Sequence, residues 1–391
     1  MGEKKLVWKK TNKYKILLTV LFVVIYVVAI VGINNNSETH KKDQKTFYEM
    51  AKVLEVVEDN TTIDTKTDNI KKGSTVLNIK ILTGQYKGKE YTINNYLSAI
   101  YNVDVNKGDK VSVRIDERND GGLDISIYNY NRVAPIVIVM TLFAGMLILV
   151  GGKKGAKALV GLVFTLINIV YILLPMTLKG FSPIIVTLSI VLISTIVSFL
   201  LLDGMTKKSI IATIGTLCGI LIGTLFAMIS AQIMHITTYQ MEEAEALLLV
   251  TSTSKLKMEN LLLCGIMISC MGAVMDVAMS ITSAIEELHT VNKILTMKEL
   301  YKSGMNIGKD AIGTMANTLV LAFAGSSLNM LVLISSYGVS FTQLINTDFV
   351  ALEIIKAVAG SIGIVVTVPL VAVIGGYYYS KSSTKHLLNK R

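Results

Sequence analysis

The stretch Cys264–Glu287, CGIMISCMGAVMDVAMSITSAIEE, is apolar enough to form a membrane helix, yet it carries an aspartate near its middle. At about 100° per residue, the small and polar residues of this stretch share one face of the predicted helix. That face comprises Gly265, Ser269, Gly272, Asp276, Ser280, Ser283 and Glu287. Such a face is typical of a helix that packs against other helices or lines a polar path, and not of one that faces lipid.

A second polar face follows in the next predicted helix, where Ser303–Leu319 reads SGMNIGKDAIGTMANTL. The residues that share this face are Ser303, Asn306, Asp310, Thr314 and Asn317. An ionised carboxylate inside the hydrocarbon raises the free energy of insertion by at least about 2.5 kcal/mol. We therefore expect Asp276 to be hydrated, protonated or paired, with Lys309 and the amides of Asn306 and Asn317 as candidate partners.

Composition places the chain among integral membrane proteins, with the lipid bilayer as its partner. Of its 391 residues, 52% are hydrophobic and only 17% are charged, whereas about 25% are charged in ordinary globular domains. The formal net charge of +10 comes from lysines in short clusters beside apolar runs. This arrangement indicates membrane topology and argues against nucleic acid as a partner.

The three cysteines, Cys218, Cys264 and Cys270, all fall in predicted membrane helices. We interpret them as small packing residues, so no disulfide is expected. The methionines beside Cys264 allow a soft-metal hypothesis, but methionine is a common helix filler. The sequence therefore predicts neither a metal site nor a cofactor.

Residues 1–33 form a basic segment followed by the apolar run Ile16–Ile33. The run is long for a signal peptide and no small-x-small cleavage site follows it, so we expect an uncleaved first span with a cytoplasmic N-terminus.

Residues 34–132 are polar and rich in β-branched residues. Apolar and polar residues alternate in Ser74–Leu82, Glu90–Ile93, Lys110–Ile115 and Asp124–Tyr128, with glycine-containing turns between them. This pattern predicts a small antiparallel domain of five or six strands, like an OB barrel, outside the cytoplasm. No cluster of catalytic or ligating residues marks it, so it is interpreted as a binding or assembly module.

Residues 133–380 are predicted to form a membrane domain of seven further helices, which makes about eight in all. The predicted spans are Val133–Val150, Ala158–Met176, Ser182–Leu202, Ile210–Met234, Leu261–Ile285, Ala311–Ser335 and Ile354–Tyr378. Asp310 lies just before its span and is expected near the membrane interface. The capping-box pattern Thr296–Glu299 predicts a helix start in the preceding connection.

Lysine clusters occur in every second loop, and the basic tail 381–391 follows the last span. Both termini are therefore expected in the cytoplasm. The repeat Gly215, Gly219 and Gly223 predicts close helix packing, as do Gly265 and Gly272. Ala359 and Gly363 have the same four-residue spacing in the last span.

Four motifs, GAVMDVAMSITSAIEEL, SGMNIGKDAIGTM, ANTLVLAFAGSSL and GGKKGAKAL, resemble the YibE/F-like family of bacterial multi-spanning membrane proteins. The resemblance implies a bacterial plasma membrane protein with this domain order, and it brings no defined reaction. The family favours arginine where this chain has Lys309, so the positive charge is kept.

Our leading expectation is a permease that moves a small solute or a cation along a path lined by the two polar faces. The predicted path residues are Asp276, Asp310, Asn306, Asn317, Ser269, Ser280, Ser283 and Thr314. Alternatively, the two aspartates only join neighbouring helices through hydrogen bonds.

A second expectation is a non-transporting sensor or envelope assembly protein, whose β domain binds an envelope partner. A homo-oligomer is compatible with either function. No HExxH, GxSxG or Walker A motif occurs, so an enzyme is not expected, and an intramembrane enzyme that uses the two aspartates is the third hypothesis.

Overall fold

The computed structural model describes residues 26–34, 46–65, 69–118, 121–241 and 243–388. The predicted basic N-terminus, most of the first span and the end of the basic tail lie outside these residues, although 26–34 are helical (α1). The chain divides into two units, one of Glu38–Met146 and one of Met1–Ser37 with Leu147–Arg391.

The smaller unit is a five-stranded antiparallel sheet in the order β3-β2-β1-β4-β5. Its strands are β1 Thr46–Asp64, β2 Ile70–Ile81, β3 Glu90–Leu97, β4 Lys110–Glu117 and β5 Leu123–Tyr130. One face of the sheet forms a hydrophobic core, in which Val53, Leu77, Ile79 and Val113 are fully buried. The sheet curls so that β3 and β5 approach each other, but no ladder joins them among the described residues. The small antiparallel domain of five strands is thus confirmed, and it is a half-barrel where the sequence predicted an OB-like barrel.

The central strand β1 is the strand that the alternation pattern did not predict. It has 19 residues and pairs with both β2 and β4. Register shifts between Val53 and Glu55 and between Val56 and Glu58 interrupt its pairing with β2. Because a bulge adds a residue to one strand, it reverses the alternation of apolar and polar residues along that strand.

The larger unit is helical. Its helices are α2 Val133–Asn168, which begins in the smaller unit, α3 Leu174–Leu178, α4 Pro183–Asp203, α5 Lys207–Ile233, α6 Ala244–Thr253, α7 Leu261–Val291, α8 Met297–Ser326, α9 Leu328–Ser336, α10 Phe341–Ile345 and α11 Asp348–Leu388. In the described residues, five helical segments are long and apolar enough to cross a membrane. They are Val133–Leu178, which runs from α2 through α3, and the helices α4, α5, α7 and α11. A sixth is added if α8 and α9, which meet at a 54° bend, count as one span. The predicted total of eight stays a prediction.

One of the five candidate spans, Val133–Leu178, has 46 residues, more than twice the roughly 20 that a crossing needs. It is interrupted at Gly152, whose φ of 53° and ψ of −135° are not helical. A Cβ at Gly155 would collide with the carbonyl oxygen of Leu147, although residues eight apart in a continuous helix are about 12 Å apart. The chain therefore folds back at Gly152, within the loop predicted between the second and third spans.

Two glycine-containing surfaces bring α5 and α11 together. A Cβ at Gly219 would lie 2.9 Å from the carbonyl oxygen of Gly363, and one at Gly223 would lie 2.8 Å from that of Ala359. A Cβ at Gly215 of α5 would collide with the side chain of Val371, which also belongs to α11. Close backbone approach of this kind requires residues without side chains at the crossing.

Helix α8 begins earlier than its predicted span. Thr296 caps it, accepting a hydrogen bond from the Glu299 amide at 3.3 Å, and the Glu299 carboxylate accepts one from the Thr296 amide at 2.8 Å. This is the predicted capping box. The early start places Asp310 near the middle of α8 and not at its end.

Candidate functional site

Helix α7 carries one polar face and packs into the helical unit with the opposite side. Val274 lies at the centre of the packed side, because a Cβ at Gly363 of α11 would be 3.5 Å from Val274 Cγ2 and one at Gly219 of α5 would be 3.1 Å from Val274 Cγ1. Cys270, Met271, Ile281 and Ile285 are buried on the same side.

Contacts between α7 and α8 fix their relative register. A Cβ at Gly304 of α8 would lie 2.8 Å from Ile285 Cδ1, and one at Gly308 would lie 3.2 Å from Ile281 Cδ1. A step of four residues forward along α8 thus matches four residues backward along α7, so the two helices are antiparallel. Gly304 and Gly308 form a GxxxG packing signal that the sequence analysis did not use.

The register places the two aspartates at similar positions along the helix axes, which we call their height. Continued from these contacts, it puts Asp276 level with Gly313 and Asp310 level with Met279. The Cα atoms of the two aspartates are therefore separated by about one helical turn, roughly 5 Å, along the helix axes. Both lie in the central part of their helices.

Both aspartates also point the same way. Asp276 follows Val274, which contacts α11, by two residues, and Asp310 follows Gly308, which contacts Val368 of α11, by two residues. Two residues rotate a side chain by about 200° around a helix. Each aspartate therefore points away from α11, and the two polar faces form one surface on the outer side of α7 and α8.

We call this the polar outer surface. Its exposed residues are Gly265, Ser269, Gly272, Asp276, Ser280, Asn306, Lys309, Asp310, Gly313, Thr314 and Asn317. Ser283 and Ser303 are half-buried at its edge. A Cβ at Gly265, Gly272 or Gly313 would meet nothing within 4 Å, so the predicted packing role of Gly265 and Gly272 has no partner in the described part of this chain.

The carboxyl groups of this surface have no partner among the residues that the structure describes. Among the described residues, neither the Asp276 nor the Asp310 side chain makes a hydrogen bond or an ion pair, and Lys309 makes no ion pair. Pairing of Asp276 with Lys309, Asn306 or Asn317, one of the three alternatives that the sequence allowed beside hydration and protonation, is thus not observed among the described residues. Nor does any group of three or more His, Cys, Asp or Glu that could hold a metal ion occur in the described ranges.

The model of the YibE/F-like protein family matches residues 139–381, which include both polar faces. The chain belongs to the YibE/F-like family. A second model, of the YibE/F family N-terminal domain, matches residues 45–130, the five-stranded sheet. No curated protein and no solved structure matches the chain.

The YibE/F-like region also contains an ionic cluster that the sequence analysis missed. Lys208 Nζ, at the start of α5, lies 3.0 Å from Asp203 Oδ1 of α4 and 3.9 Å from Glu286 Oε2 of α7. The Tyr379 hydroxyl of α11 donates a hydrogen bond of 3.1 Å to Glu286 Oε1, and the His289 ring lies 5.5 Å from the Tyr379 ring. These residues tie four helices together at one end of the helical unit. In the sequence, the one signal of this cluster is the short spacing between the opposite charges of Asp203 and Lys208.

Other polar groups of this region are enclosed. Asn168, Ser194, Thr195 and Thr216, on α2, α4 and α5, are fully buried. Their side-chain oxygens have no hydrogen-bond partner among the described residues. Isolated serines and threonines in apolar runs gave no helical pattern from which sequence analysis could have selected them.

The N-terminal domain exposes apolar side chains where β3 ends. Tyr96, Ile100 and Tyr101 are 72%, 86% and 77% exposed. Asn102 fixes the loop by donating hydrogen bonds to the carbonyl oxygens of Lys71 and Ser98, at 2.6 and 3.1 Å. The loop thus presents apolar side chains from a backbone that is held in place.

Proposed function

We propose that this YibE/F-like protein is a multi-pass permease of the bacterial plasma membrane, which moves a small solute or a cation along the polar outer surface. Both termini would lie in the cytoplasm and the N-terminal domain outside, an orientation supported by the alternating lysine clusters. The apolar helices support a membrane location.

One observation carries the proposal: Asp276 and Asp310 lie about one turn apart in height on the same side of two antiparallel helices, with no partner in the described chain. A carboxyl group near the middle of an apolar helix, as Asp276 is in α7, is costly to insert and marks an ion or solute path. Hydroxyl and amide oxygens of Ser280, Thr314 and Asn317 share the surface. Together they offer oxygen ligands to a cation and acceptors to a protonated solute.

The test is flux into proteoliposomes that contain the full chain. A pH-sensitive dye inside the vesicles reports proton movement driven by imposed gradients of Na⁺, K⁺ or Mg²⁺, with each cation measured separately. Asp276→Asn should lower the flux at least about tenfold, because it removes the exchangeable proton and the charge at the centre of the path. Asp348→Asn, an exposed aspartate at the start of α11, is the matched control and should leave the flux unchanged. Equal flux in wild type and Asp276→Asn would refute the permease.

The second candidate function is a membrane sensor or assembly protein, which the exposed loop of the N-terminal domain favours. Exposed apolar side chains on an ordered loop are typical of a contact site for another protein. In that case the full chain would retain a stoichiometric envelope protein, the double variant Ile100→Ser and Tyr101→Ser would lose it, and the proteoliposomes would show no flux. Retention by both forms would argue against this loop.

A further inference from the structure

We propose that the polar outer surface binds the same surface of a second copy of the chain, so that the path lies between two copies. The path rests on the proposed function, whereas the interface does not. The partner of a membrane helix face must match that face in charge, in side-chain size and in height in the membrane.

Exposure of this surface to lipid is energetically unfavourable. An ionised aspartate at the middle of a membrane helix raises the insertion free energy by roughly 2.5–3.5 kcal/mol, and Asp276 has this position on the surface. Among the described helices, α8 packs mainly on α7, α9 and α11. The outer side of α7 and α8 is therefore without a partner among the described residues, and a second copy of the chain can supply one.

Lys309, the positive charge of this surface, does not pair with Asp276 of the same copy. Lys309 lies five residues after Gly304, which contacts Ile285 of α7, and five residues rotate a side chain by about 140° around the helix. Lys309 therefore points away from its own α7. Between two copies, Lys309 of each copy could pair with a carboxyl group of the other. The two pairings would be equivalent by symmetry.

A two-fold axis normal to the membrane makes this surface complementary to itself. Such an axis leaves every residue at its own height, so α7 of one copy meets α8 of the other in the register already seen within the chain. Asp276 then faces Gly313 of the second copy, and Gly272 faces Asn317 of the second copy. Small residues with open space around them thus meet the larger polar side chains, as an isologous interface requires.

The interface is tested by the mass of the purified full chain in detergent micelles, measured by light scattering over a concentration series. Wild type should be a dimer. Gly313→Leu should raise the dissociation constant at least about tenfold, a loss of ~1.4 kcal/mol, because the leucine fills the space that Asp276 of the second copy needs. Lys309→Met should weaken the dimer as well. Gly145→Leu is the matched control, because Gly145 also lies in a helix with nothing within 4 Å of its added Cβ, and it should leave the dimer unchanged.

Thermal unfolding followed with a thiol-reactive fluorophore shows that each variant is folded, since Cys264 and Cys270 are buried in the native chain. A wild type that stays monomeric at all concentrations, or a folded Gly313→Leu that dimerises like wild type, overturns the interface. Flux that depends on Asp276 in a monomer would overturn the interface and leave the permease. A dimer disrupted by Gly313→Leu but without flux would keep the interface and overturn the permease.

Discussion

Gly219 shows at the scale of one residue what holds the helical unit together. An added Cβ would lie 2.9 Å from the carbonyl oxygen of Gly363 and would collide with the Thr367 hydroxyl, which donates its hydrogen bond to that same carbonyl at 2.7 Å. The backbones of α5 and α11 thus meet where both helices carry glycine. A methyl group at this point has no space without movement of a helix.

Gly219→Ala should therefore lower the free energy of unfolding by roughly 1–3 kcal/mol, the usual effect of overpacking. Alanine favours a helix more than glycine by about 1 kcal/mol, so a destabilised variant would show that packing outweighs propensity. Thermal unfolding in detergent, followed with a thiol-reactive fluorophore, measures the change. Gly145→Ala, where the added Cβ meets nothing within 4 Å, should be neutral or stabilising, and equal melting temperatures of the two variants would contradict the argument.

At the scale of an element, β1 is the organising strand of the N-terminal domain. It is hydrogen-bonded on both sides, and the two register shifts turn its residues between the core and solvent. As a result, Val53 is fully buried while Val57, four residues later, is 50% exposed. An uninterrupted strand would place residues four apart on the same face.

These two valines provide a matched pair for the element. In residues 45–131 expressed alone, which we expect to fold because they contain their own hydrophobic core, Val53→Ala should lower the free energy of unfolding by roughly 1.5–3 kcal/mol. Val57→Ala should change it by less than about 0.5 kcal/mol. Urea unfolding followed by circular dichroism measures both, and similar losses at the two positions would argue against the bulged register.

At the scale of the whole molecule, the ionic cluster around Lys208 joins helices that are far apart in the sequence. Lys208 bridges carboxylates of α4 and α7, and the Tyr379 hydroxyl extends the cluster to α11. The Lys208 side chain is only 14% exposed. Removal of the cation therefore leaves two partly enclosed carboxylates without their shared partner.

Lys208→Met should lower the free energy of unfolding by roughly 1–3 kcal/mol. The value lies below that of a fully buried pair, because water still reaches the carboxylates. Lys298→Met is the control, since Lys298 is exposed at the start of α8 and makes no ion pair with any described residue. Thermal melts of the two variants in the same detergent distinguish them, and a shift for Lys298→Met as large as that for Lys208→Met would remove the cluster's structural role.

The sequence determined the properties that depend on local periodicity. Apolar runs of sufficient length predicted α4, α5, α7 and α11, and the family resemblance is shown by the two family models. The 3.6-residue period also determined which residues share each polar face, because helix geometry is the same wherever the helix lies. Alternation likewise located four of the five strands.

The tertiary structure decided what each face meets. Periodicity groups Gly219 with Gly223 and Gly265 with Gly272 in the same manner, but the first pair contacts α11 while the second has open space. The bulges of β1 and the union of Lys208 with Glu286 depend on segments that are distant in the chain. The physical reason is that burial belongs to the assembled helices and sheet: a helical period states which side chains point together, and only the packing of neighbours turns that direction inward or outward.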